Sequence, residues 1–143
     1  MNHTFTNIRW LRIIVSSIII AAFSIFAITI ITAGYAFILA FEAHGQPNQA
    51  AINHFAAVLS RWAMPALEMI LTFLIAMIST KKIDHAFSMH GLLIGIGAGM
   101  LSTLMKFCFG HHLHYRLAIF FVILAGLGLA GGFWTQRKKK MKP

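Results

Sequence analysis

Four long apolar stretches, separated by short polar interruptions, organise this chain. The first runs from about Leu11 to Phe41 and carries no charge after Arg12. About 20 helical residues cross a bilayer core of roughly 30 Å, so this run must tilt or project beyond the membrane. Arg9 and Arg12 precede it as they would a signal peptide, but its hydrophobic length is about twice that of a signal h-region, which favours an uncleaved anchor. Residues 42–49 (EAHGQPNQ) then make a polar turn, punctuated by Gly45 and Pro47, with Asn48 placed to cap the next helix. Beyond it Ile52, Phe55, Leu59 and Trp62 recur at spacings of three and four, the helical period. Residues 48–61 are either a short helix on the membrane surface or the outer extension of a second membrane helix. That helix runs to Thr80, with a kink expected near Pro65.

A short charged connection, residues 81–85 (KKIDH), makes the second and third helices antiparallel neighbours. A second polar connection, 111–116 (HHLHYR), separates the third helix from the fourth, and a basic tail from Arg137 follows. The expected fold is an all-α integral membrane protein: one up-down four-helix transmembrane bundle over residues 1–143. Its membrane helices fall near 11–41, 62–80, 86–110 and 117–134, with an outer polar or amphipathic loop over 42–61.

Composition strengthens this reading. Hydrophobic residues make up 59% of the chain and charged ones 10%, against about 25% charged in soluble domains. A formal charge of +9 would suit a nucleic-acid binder, but nine of the twelve Lys and Arg residues flank the apolar runs. Nucleic acid is therefore not an expected partner; the lipid bilayer is. Those nine (Arg9, Arg12, Lys81, Lys82, Arg137, Lys138, Lys139, Lys140 and Lys142) fall on one side of the alternating topology, while Arg61, Lys106 and Arg116 fall on the other. The positive-inside rule then places both termini in the cytoplasm, in a multi-pass protein whose default location is the bacterial plasma membrane. The single Cys108 excludes an internal disulfide and any CxxC redox or zinc motif.

Membrane helices associate through close packing of small residues rather than by expelling water. Gly91, Gly95, Gly99 and Thr103 recur every four residues in the third helix, and Gly128 and Gly132 repeat the spacing in the fourth, as do Gly126 and Ala130. These grooves are expected to build the internal packing, or else a homo-oligomer seam or the seat of a membrane partner subunit. The run Gly95-Ile96-Gly97-Ala98-Gly99 lacks the Lys-Ser/Thr of a phosphate loop and follows no strand, so it gives no nucleotide site.

Charged groups inside a membrane are costly and tend to pair or to mark function. Glu68 and Lys106 qualify, and antiparallel helices would set both near the outer leaflet as an ion pair. His54, Arg61 and Glu68 are spaced by sevens and Thr72 follows by four, which puts them on one helix face. With His111, His112, His114 and Arg116 in the second outer connection, they would line a polar vestibule that opens outward. The HHxH run is not a specific ligand spacing, and His90 has no facing histidine for haem, so no metal or cofactor is expected. Ser102 and Thr103 lie within a turn of Lys106, but hydroxyls in membrane helices more often bond the preceding turn's carbonyls. No catalytic arrangement of nucleophile, base and orienting group is present, and the expectation leans away from an enzyme. The expected role is a structural or accessory membrane protein acting through helix packing. The alternative is a small proton- or cation-coupled transporter using Glu68.

Overall fold

The computed structural model of the chain describes residues 9–81, 83, 86–108 and 115–140. It is all-helical: α1 spans Trp10–Glu42, α2 Gln49–Thr80, α3 Phe87–Cys108 and α4 Tyr115–Lys140. Each helix is long and apolar enough to cross a membrane. At 1.5 Å per residue the 33 residues of α1 extend about 50 Å, more than the hydrocarbon core requires.

At one boundary the structure selects between the two expected alternatives and at another it differs from the expectation, each for a local reason. Residues 49–61 continue α2 without a break, so the connection from α1 shrinks to residues 43–48. The helix can start there because the Asn48 side-chain oxygen accepts from the backbone N–H groups of Ala50 (3.0 Å) and Ala51 (3.2 Å), which satisfies donors that a helix N-terminus leaves unpaired. The C-terminal cluster of Arg and Lys is not a tail beside α4 but its last turn. Lys and Arg are good helix formers, and their charge is favourable at the negative end of the helix dipole.

The chain divides into two compact units, Ala22–Leu67 and the combination of Met1–Ala21 with Glu68–Pro143. The smaller is a helical hairpin. At its turn the Gly45 N–H reaches the Ala40 carbonyl (2.9 Å) and the His44 N–H that of Phe41 (3.4 Å), the paired bonds of a Schellman motif. His44 takes the left-handed position with φ of 53° and Gly45 follows at 110°. Tyr35 and Phe55 stack across the hairpin with ring centroids 4.1 Å apart.

In the larger unit the direction of each helix follows from the residues it meets. Gly91 packs on Gly128 and Gly132, Gly95 on Leu124 and Ala125, and Gly99 on Phe121, so α3 and α4 are antiparallel. Ser17 of α1 meets Ile94 and Gly97 of α3 above the contact of Arg9 with His90, so these two run together. Gly131 meets Phe73, Ala76 and Met77 of α2, and Thr135 meets Thr80 one turn further on. The apolar core is Ile13, Ile20, Ile94 and Ala98, with Leu71, Ile75 and Leu93 packed against it.

The glycines make the α3–α4 contact a backbone-to-backbone one. A Cβ placed on Gly91, Gly95, Gly128 or Gly132 would meet main-chain atoms of the facing helix, whereas one on Gly126 would meet nothing. Gly99 faces the Phe121 ring instead, and the Thr103 hydroxyl bonds the Gly99 carbonyl of its own helix at 2.8 Å. The α4–α2 contact uses Gly131, which pairs with no other α4 glycine at a spacing of four.

Candidate functional site

The buried face of α2 repeats every fourth residue as Glu68, Thr72, Ala76 and Thr80. Its first member is a carboxyl group 2% exposed. Ser102 of α3 donates its hydroxyl to this carboxyl, with oxygens at 2.9 and 3.2 Å. Ser102 therefore bonds across to a neighbouring helix rather than back to its own preceding turn, whereas Thr103 takes the local bond. One turn from Glu68, the Thr72 hydroxyl is fully buried and has no hydrogen-bond partner among the described residues.

The contact described for the Lys106 ammonium is with an aromatic ring: Nζ stands 4.6 Å from the centroid of Phe120. Burial of a carboxyl without a donor is costly, and here the donor is Ser102, one turn nearer than Lys106 along α3. The long flexible lysine stem lets the charge move to the ring.

The stripe read as one polar face is split between environments. His54 and Arg61 are exposed, with the Arg61 guanidinium 5.9 Å from the Trp62 ring, while Glu68 and Thr72 are buried. His111, His112, His114 and the side chain of Arg116 lie outside the described residues. Among the described residues no group of three or more His, Cys, Asp or Glu is placed to hold a metal ion.

A second polar layer, unmarked by any motif, sits at the other end of the same unit. His90 is 1% exposed. Its Nε2 accepts from the Arg9 backbone N–H at 3.1 Å, and its Nδ1 lies 3.0 Å from the Ala86 carbonyl. With Nε2 accepting from Arg9, Nδ1 is the ring nitrogen placed to donate to the Ala86 carbonyl. Nearby, Ser16 and Ser79 join α1 to α2 with hydroxyls 2.8 Å apart. The Thr80 and Thr135 hydroxyls are 3.0 Å apart, and Thr135 also reaches the Met77 carbonyl at 3.0 Å. Ser88 donates to Gln136 (3.2 Å), and Lys139 donates to the Ile83 carbonyl (2.7 Å). Each bond in this layer ties one helix or connection to another, and a polar group in hydrocarbon has no water as an alternative partner.

A cavity of about 760 Å³ opens along α3, between Ile14 and Ile18 of α1 and Met100, Leu104 and Phe107, with Phe121 at its wall. The lining is almost wholly apolar, and Glu68 is not part of it.

Comparison with known proteins adds nothing to this geometry. No protein-family model, curated protein or solved structure matches the chain.

Buried polar groups in this protein thus have a common chemistry. They are hydroxyls, an imidazole and a carboxyl, and apart from the Thr72 hydroxyl those described here meet donors or acceptors on neighbouring helices or connections. The sequence offered weak signals for it: Ser16, Ser79, Thr80 and Thr135 are hydroxyls in otherwise apolar helices, but nothing in their spacing says which helix each will face.

Proposed function

We propose that this chain is a structural or accessory membrane protein that acts through helix packing, alone or with a partner subunit, and catalyses no reaction. In this reading the four helices cross the bilayer in alternating directions, both termini are cytoplasmic by the positive-inside rule, and the membrane is the bacterial plasma membrane. The observation that carries the proposal is the state of Glu68: 2% exposed, bonded to Ser102 and absent from the wall of the cavity. A transported ion needs a water-accessible path to its carrier, and a sealed carboxyl serves instead to fasten α2 to α3.

A second reading, a small proton- or cation-coupled transporter, draws on one observation. The unpartnered Thr72 hydroxyl lies one turn from Glu68, and an unsatisfied buried hydroxyl in a native interior calls for an explanation. Thiol labelling in membranes separates the two. With Cys108→Ser as background, Glu68→Cys should react with a water-soluble maleimide as slowly as Ala76→Cys, whose position is fully buried, and far more slowly than His54→Cys. Labelling of Glu68→Cys at the rate of His54→Cys would favour the transporter. The tagged termini of the same protein should be reached only after the cytoplasmic side is opened.

A further inference from the structure

Six of the cationic residues converge at one end of the larger unit. The Arg9 contact with His90 places the start of α1 beside that of α3. The Thr80–Thr135 pair and the Lys139–Ile83 bond bring the end of α2 beside that of α4. Four element ends, carrying Arg9, Arg12, Lys81, Arg137, Lys138 and Lys139, therefore meet there, and Asp84 is the one acidic residue of the sequence in these segments.

The outward face of α4 leads into this cluster. Val122, Gly126, Ala130, Trp134 and Lys138 recur every four residues and all five are exposed. The last two positions on this face pair with each other, and Phe133 and Arg137 beside them do the same. Arg137 lies over the Phe133 ring at 4.8 Å and Lys138 over the Trp134 ring at 5.8 Å, and both rings are about half exposed. Two adjacent cations are thus held one turn above two adjacent aromatic rings, below which runs a track of small and aliphatic side chains. A Trp ring such as that of Trp134 sits at the headgroup level of a bilayer, and basic clusters just beyond a membrane helix attract anionic lipid.

We infer that Arg137 and Lys138 form a binding site for the phosphate headgroup of an anionic phospholipid, whose acyl chain lies along Trp134, Ala130 and Gly126. The apolar track continuous with the cations favours a lipid over a soluble anion: free phosphate would use the charges but not the track. The inference goes beyond the proposed accessory role and does not depend on Glu68.

The test is native mass spectrometry of the full chain released from mixed detergent micelles containing equal amounts of phosphatidylglycerol and phosphatidylcholine. Phosphatidylglycerol should be retained in preference, and its retention should fall about fivefold for each charge removed in Arg137→Gln and Lys138→Gln. Helix content of both variants is checked by circular dichroism, and Lys106→Gln, at the opposite end of α3, should leave retention unchanged. Ala130→Phe, which fills the track and keeps every charge, should also reduce retention. Equal retention of the two lipids would overturn the proposal. So would folded Arg137→Gln and Lys138→Gln variants that hold phosphatidylglycerol as wild type does, or displacement of the lipid by inorganic phosphate at equal concentration.

Discussion

Gly95→Ala tests the packing of α3 on α4 with one methyl group. A Cβ at this position would lie 2.9 Å from the Ala125 Cα and from the Leu124 carbonyl carbon, and closer still to the Leu124 carbonyl oxygen. Carbon atoms in contact prefer about 3.5–4.0 Å, so the helices must separate by several tenths of an ångström or more. The atoms in the way are backbone and cannot rotate aside. Overpacking in a close-packed interior costs about 1–3 kcal/mol, and a rigid obstacle puts Gly95→Ala at the upper end. Alanine is the better helix former by about 1 kcal/mol, which offsets part of the cost. The net expectation is a loss of about 1–2 kcal/mol. Gly126→Ala has the same propensity gain and meets nothing within 4 Å, so it should be neutral or stabilising by up to about 1 kcal/mol. Equilibrium unfolding of both variants in one detergent gives the comparison. Gly126→Ala as damaging as Gly95→Ala, or Gly95→Ala as stable as wild type, would refute the backbone-contact argument.

Two further changes probe the layer around His90 and Thr135. Ala86 holds a left-handed backbone with φ of 56°, which costs a residue with a Cβ about 1 kcal/mol, so Ala86→Gly should raise the unfolding midpoint. A lowered midpoint would count against it. Thr135→Val removes the hydroxyl that meets Thr80 and the Met77 carbonyl and keeps the shape; hydrogen bonds between membrane helices average about 0.6 kcal/mol, and thermal unfolding should register a loss of that order.

Helices were the most legible feature of the sequence, because a charge-free run of some twenty apolar residues has few other ways to satisfy its backbone in a membrane. Asn48 was legible as a cap for the same local reason. The length of α2 and of α4 was only partly legible: the helical period of residues 52–62 left open whether they form a separate surface helix or the start of α2, and Arg137 to Lys140 are polar enough to be a tail but extend α4 because nothing in them breaks the helix already begun. The spacing of Gly91, Gly95, Gly128 and Gly132 announced a close-packed surface, but a spacing of four does not name the facing helix, and Gly131, which contacts α2, has no such spacing at all. The partner of Glu68 was the hardest to read. Charge suggested Lys106, but register between α2 and α3 is set by the packing of side chains along their whole length, and that register brings a neutral hydroxyl, Ser102, to the carboxyl.

The claim that buried polar groups here fasten helices together is tested most directly by a double-mutant cycle on Glu68→Met and Ser102→Ala, read by equilibrium unfolding in detergent. Ser102→Ala leaves a buried carboxyl without its donor and should cost about 1–3 kcal/mol. Glu68→Met in that background should restore most of the loss, giving a coupling of about 1–3 kcal/mol. Additive effects, with Glu68→Met as stable as wild type while cells lose an ion or solute phenotype, would contradict the account and make the carboxyl a carrier.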